Sequence, residues 1–348
     1  MVKVLFPFYI GAFIHYSESS MAHQPSTDWR EVIAPNDEER YAQYAEQFSE
    51  MQRRKSAKYG NGRALHRKQI LGLPAKLEVL SGLPEYAQAG LFAQAREYQA
   101  LVRLSNGGSA VAPDKVPDIR GFSFKVLGIH GASALGGETD SQDFLLINRE
   151  VFGMKGSKEF AGLVKAAEQG PSGLLKHFIR EEGLFKAFPK IKNLQASMQK
   201  PFHGFAAHTF FSSAPIACGK DAARVRLVPD KNNGAPAVSN ENWTADILAR
   251  LEKSSLSYAL QLQFFVNETL TPIEDASVNW EEKNSPYTTV GKLTLPRLDE
   301  WAAEREQIQE HTEKGIFDPW CALAEHRPLG DVMRARKVVY YQSQKNRA

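Results

Sequence analysis

Two hydrophobic periods run through the chain. Apolar and polar positions alternate in YALQLQFFV, within residues 256–266, and in VGKLTL, within 288–295, the period of strands that bury one face. Shorter strand-like runs at 209–217 and 223–228 complete this set. An earlier set lies at 76–80, 100–105, 121–127 and 143–147, punctuated by glycine pairs at 107–108 and 136–137. Between the two sets, over about 157–200, GSKEFAGLVKAAEQG, GLLKHFIREEGLFKAF and IKNLQASMQK predict three short helices. Four strands, a helical insert and four more strands predict an α+β fold built on an eight-stranded antiparallel barrel rather than a parallel sheet.

Helical segments flank these strands. At 36–58 the chain carries acids first and bases last, with Asn36 as N-cap and Glu39 placed to close a capping box, which predicts an N-terminal helical arm. Residues 298–312 and 329–346 predict closing helices, with an extended crossing at 318–330 between them. No repeat, low-complexity tract or linker divides residues 36–348, which read as a single domain. Residues 1–35 read as an extension, disordered or signal-like. The apolar run at 4–14 is short and broken by Pro7 and Gly11, and the stretch from Met21 (MAHQPSTDW) reads like a cytosolic start.

Composition narrows the partners. With 43 basic and 40 acidic residues, the formal charge of +3 makes no electrostatic case for nucleic acid. No apolar stretch is long enough for an integral membrane span. The two cysteines, Cys218 and Cys321, lie far apart and outside any Cys-x-x-Cys, so neither a disulfide framework nor a zinc site is expected. Both read as inert buried thiols in a reducing, cytoplasmic setting; a periplasmic or secreted location is the alternative if residues 1–20 act as a signal. No Gly-x-Gly-x-x-Gly or Walker pattern is present.

The candidate chemistry rests on a few spaced residues. Arg336 and Tyr340 stand four apart in a helical context, so they share a face and the guanidinium can lie against the phenol oxygen, a pairing suited to a metal-ligating tyrosine. Arg63 precedes His66 by three residues in GRALHRK, and Arg103 and Ser105 point to one side of a strand in LVRLSNGG. Asp-Ile-Arg-Gly-Phe-Ser-Phe-Lys at 118–125 then leads to Asn148 and Phe152.

In this order the motifs resemble the haem catalase family, and more closely its short, catalase-like branch of haem peroxidases and allene oxide synthase-like enzymes. The resemblance covers residues 63–340. It implies a catalase-like barrel binding haem b, whose ferric iron takes Tyr340 as axial ligand with Arg336 beside it. Arg63 and Arg103 would anchor the propionates, and Phe152 would lie near the haem. His66 would be the distal acid–base group, with Ser105 fixing its other ring nitrogen and Asn148 bonding the outer oxygen of a hydroperoxide. Structural roles are expected for Arg120 and Lys125. Arg149 and Glu150 stand where the family carries proline after that asparagine, and only residues 341–348 follow the ligand, so neither a bound nucleotide nor a wrapped tetramer is implied. A homo-oligomer stays open. Tyr341 is the rival ligand by composition, but it presents a face about 100° away.

The implied activity is reduction of hydrogen peroxide or organic hydroperoxides, lipid-derived ones included. The alternatives are a fatty-acid hydroperoxide lyase or dehydratase and a non-catalytic haem- or lipid-binding barrel. Leu65 leans toward the peroxidase, because the allene oxide synthase branch carries a hydroxyl residue there. His177, His203 and His208 are expected to be structural, and Trp320 to pack the crossing onto the barrel.

Overall fold

Residues 22–347 are described by a computed structural model. In the strand Arg120–Ala132, Phe122, Phe124 and Val126 are fully buried, while Gly121, Ser123 and Lys125 turn to the other side. This is the period-two alternation of a strand with one face in a core. In chain order the strands are β1 (Gln69–Val79), β2 (Glu97–Asn106), β3 (Arg120–Ala132), β4 (Glu138–Ile147), β5 (Phe210–Phe211), β6 (Ile216–Cys218), β7 (Asp221–Pro229), β8 (Leu256–Phe264) and β9 (Tyr287–Leu295). Antiparallel pairing runs from β1 through β2, β3, β4, β5, β7, β8 and β9 back to β1, which closes an eight-stranded barrel; β6 is a short addition paired to β7. Phe122 meets Phe210 and Tyr258 at 5.2 Å, and Phe124 meets Phe144 at 4.8 Å, so the interior is filled rather than open.

Two strands differ from expectation. β1 starts seven residues earlier than the alternation indicates, because Gly72 and Pro74 interrupt the pattern. Gly72 is required by packing: a side chain there would collide with Thr312. The run at 209–217 is divided between β5 and β6, with Ser213 at φ 56° and Pro215 between them.

The helices are α1 (Asp37–Tyr59), α2 (Ser157–Glu168), α3 (Gly170–Glu182), α4 (Leu184–Met198), α5 (Trp243–Leu251), α6 (Arg305–Lys314) and α7 (Asp331–Lys345). Asn36 precedes α1 but its side chain makes no capping bond. In the insert, the second helix ends at Gly183, at φ 84°, and Pro189 lies inside α4, so the break falls earlier than predicted. Sequence patterning did not indicate α5, which Asn242 caps by accepting the Ala245 N–H at 2.9 Å. Residues 298–304 form two 3₁₀ turns ahead of a shorter α6.

Of the expected extension, residues 1–21 lie outside the described residues, whereas 22–35 are tied to the body of the protein. Trp29 Nε1 donates to the Lys220 carbonyl at 2.9 Å, and Glu31 bonds Arg327, Arg334 and the Gly330 N–H. The 318–330 crossing is held by β4: Asp143 accepts from the Asp318 N–H at 2.8 Å and Gln142 from the Leu323 N–H at 3.0 Å. Trp320, in this crossing, is buried and donates to the Met333 carbonyl of α7 at 2.7 Å. No described helix is long and apolar enough to cross a membrane.

Candidate active site

The outward face of β2, β3 and β4 is the floor of a cavity, and helices α1, α2 and α7 wall it. Strand register sets the floor, since Arg103 pairs with Ser123 and Ser123 with Leu145, while Ser105 pairs with Gly121 and Gly121 with Ile147. The walls come from Phe48 of α1, Phe160 and Val164 of α2, Val339 and Tyr340 of α7, and Phe152 and Phe317 of the connections. Phe160 contacts Phe48 and Phe152 with ring centroids 6.1 and 4.9 Å apart. The enclosed volume is about 320 Å³, within the range of small-molecule sites.

His66 reaches this cavity from the segment before β1. Its backbone is left-handed at φ 49°, a conformation few non-glycine residues adopt. The segment is held there because the His66 N–H donates to the Gly107 carbonyl at 2.9 Å. Nδ1 lies 3.0 Å from Ser105 Oγ, behind the cavity surface. Burial, with the charges of Arg103, Arg336 and Arg63, pushes the imidazole down to about 3 and keeps the ring neutral. Gly121 makes the pairing possible: a methyl group there would lie 2.6 Å from both His66 Nδ1 and Ser105 Oγ.

On α7, Arg336 Nη2 donates to Tyr340 Oη at 2.9 Å, and both residues line the cavity. This is the i, i+4 contact that the spacing predicts. Tyr341 is 58% exposed and packs under the Lys345 ammonium, so it points away from the cavity.

A third group is cationic. Arg63, Arg103 and Arg347 line the cavity together. Arg63 donates to the carbonyls of Glu313 and Gly315 at 2.6 and 2.7 Å, and Arg103 pairs with the Glu313 carboxylate at 2.9 Å. Burial and the neighbouring Arg103 and Arg347 push Arg63 down to about 8. Arg347 is held below its ordinary value by burial and Arg103, and its Nε is buried without a partner. Three guanidiniums around one carboxylate leave positive charge that an anionic ligand would neutralise. Sequence reading missed Arg347, which lies two residues beyond the end of α7 and is brought to the cavity by the turn that follows the helix.

Asn148 is not brought to the cavity. Its Oδ1 accepts the Arg120 backbone N–H at 2.7 Å, and its own N–H donates to the Arg120 carbonyl at 3.0 Å, extending the β3–β4 ladder by one residue. Leu145 and Ile147 face the cavity, so strand alternation turns the next residue the other way. Arg120 is held by Asn106 and the carbonyls of Asp114 and Val116, and Lys125 pairs with buried Asp143 at 2.5 Å; neither lines the cavity. His203 and His208 form a tilted pair, with ring centroids 5.8 Å apart, and His177 lies on α3 beside Arg180; all three are away from the cavity. Among the described residues no cluster of three or more His, Cys, Asp or Glu is placed to hold a metal ion.

No family model and no curated protein matches the sequence. Among solved structures, a fungal catalase superposes with a TM-score of 0.63 at 19% identity, over 82% of this chain and 59% of that one. A bacterial catalase superposes with a TM-score of 0.60 at 16% identity, over 82% and 57%. The chain thus spans less than two thirds of the length of either protein. Barrel closure and these superpositions agree on one architecture: the chain has the catalase fold.

Proposed function

We propose that the chain is a haem-dependent enzyme that reduces hydrogen peroxide or organic hydroperoxides. One observation carries this reading: His66, backed by Ser105, the Arg336–Tyr340 pair and the arginine cluster open into the same cavity. The residues suit haem b. Arg63, Arg103 and Arg347 would hold its two carboxylates, the Tyr340 oxygen would bind the metal, and Phe152, Phe160 and Val339 supply apolar surface for a flat macrocycle. When bound, the group supplies a redox-active iron at which an O–O bond can be cleaved.

The chain's own contribution is proton handling and orientation. His66 is neutral, so Nε2 can accept the hydroperoxide proton when Nδ1 donates to Ser105, and can return that proton to the departing oxygen. Ser105 holds the ring in one orientation. Arg336 donates to the Tyr340 oxygen and so fixes the orientation of the phenol in the cavity. Leu65 lines the cavity beside His66 and offers no hydroxyl to a substrate, which supports reduction over rearrangement. The predominantly apolar walls favour an organic hydroperoxide, and this is the observation behind the second reading, rearrangement of a fatty-acid hydroperoxide without an external reductant.

The test is a spectrum of the purified protein supplemented with haem, in the wild type, Tyr340→Phe and His66→Ala. A high-spin ferric spectrum is expected in the wild type and in His66→Ala but not in Tyr340→Phe, with peroxide turnover falling about a hundredfold or more in His66→Ala. A colourless wild type would overturn the proposal. Oxygen evolution, dye oxidation by an alkyl hydroperoxide and product analysis from a polyunsaturated hydroperoxide separate reduction from rearrangement.

A further inference from the structure

The α3–α4 hairpin has a surface unlike the rest of the molecule. Among the described residues the exposed phenylalanines are both on α4, Phe185 at 94% and Phe188 at 60%, next to Leu184 at 54%. Leu184, Phe188 and the half-buried Ile191 recur at helical spacing and form one face. Exposed Lys186, Lys190 and Lys192 lie among them. Residues 170–200 hold six Lys and Arg against two Glu, an excess of four charges in a chain whose whole formal charge is +3. Lys190 pairs with Glu182, but no ion pair among the described residues involves Lys176, Lys186 or Lys192.

We propose that this hairpin docks on an anionic lipid surface. Aromatic and aliphatic side chains interleaved with lysines match the two halves of such an interface: the rings enter the headgroup boundary while the ammonium groups stay with phosphate and carboxylate headgroups. Charge complementarity favours this occupant over a second copy of the chain, because a two-fold contact through the same face would bring the lysines against each other. Docking here would act on elements joined to a wall of the cavity. The hairpin follows α2, which lines the cavity through Phe160 and Val164 and packs against α3, whereas Phe185 and Phe188 are not cavity residues.

Co-sedimentation of the full chain with vesicles tests the assignment, whether or not haem is bound. Vesicles of phosphatidylserine mixed with phosphatidylcholine are expected to retain the wild type, salt to weaken the binding, and pure phosphatidylcholine to retain it poorly. The triple variant Lys186→Gln, Lys190→Gln, Lys192→Gln is expected to lose affinity for the anionic vesicles on the order of a hundredfold. The double variant Phe185→Ser, Phe188→Ser is expected to lose binding on both compositions, with circular dichroism showing the helices retained. No binding by the wild type, or equal binding by the folded lysine variant, overturns the proposal. So does a wild-type dimer that the phenylalanine substitutions convert to monomer in the absence of vesicle binding, an outcome that would place a second copy on this face.

Discussion

At His66 three constraints act on one imidazole. The left-handed backbone aims the ring, Ser105 holds Nδ1, and burial with three nearby arginines keeps it neutral. The ring's folded pKa, about 3, lies below its ordinary 6.5, so the unfolded chain takes up this proton first. The stability contributed by the neutral ring is therefore complete above about pH 6.5 and is lost as pH falls toward about 3. His66→Gln is expected to lose less stability than the wild type between about pH 7 and about pH 4, read by denaturant titration at each pH; equal losses would remove His66 from the acid sensitivity. Gly121 acts on the same imidazole through space. Gly121→Ala must displace either the ring or Ser105, so kcat for peroxide reduction is expected to fall about a hundredfold while the haem spectrum is kept. Unchanged turnover would show that the His66–Ser105 contact is dispensable. His66, Ser105 and the Arg336–Tyr340 pair were legible from motif and spacing, because each depends on neighbours a few residues away or on a resemblance in order. The place of Asn148 was not, since one residue of strand alternation decides which side it faces.

Elements hold these residues through a few buried contacts. Helix α7 carries the candidate ligand, and its start is fixed from outside: Arg334 binds Glu31 and Glu274, and Asp331 accepts from Arg40, Tyr41 and the Ser157 N–H. The crossing that precedes it hangs on Asp143, whose side chain is fully buried and which binds Lys125 and the Asp318 N–H. Lys125→Met leaves that carboxyl without its cation and is expected to cost about 3–5 kcal/mol in urea unfolding, with the crossing loosened first. A loss under about 1 kcal/mol would mean that the pair contributes no more than a surface ion pair. Helix and strand periods were readable wherever side chains alternate cleanly, as in β8 and β9. They failed at β1, where Gly72 answers to Thr312 across the fold, and at the insert, where Gly183 rather than Pro189 ends a helix.

For the whole molecule, the barrel is a filled support and the cavity lies on its outer side, between β2–β4 and three helices. That arrangement concentrates guanidiniums from Arg63, Arg103, Arg336 and Arg347, four positions spread over 285 residues of chain, around one cavity. The sequence by itself determined the strand-rich α+β barrel, the order of the motifs and the helical pairing of Arg336 with Tyr340, because side-chain period and i, i+4 spacing are local. Barrel closure by the two-residue β5, the anchoring of residues 22–35, the joining of Arg347 to the cationic cluster and the exclusion of Asn148 were decided only by the tertiary structure. Each depends on which groups become neighbours across long stretches of chain, and packing and strand register settle that rather than any local pattern.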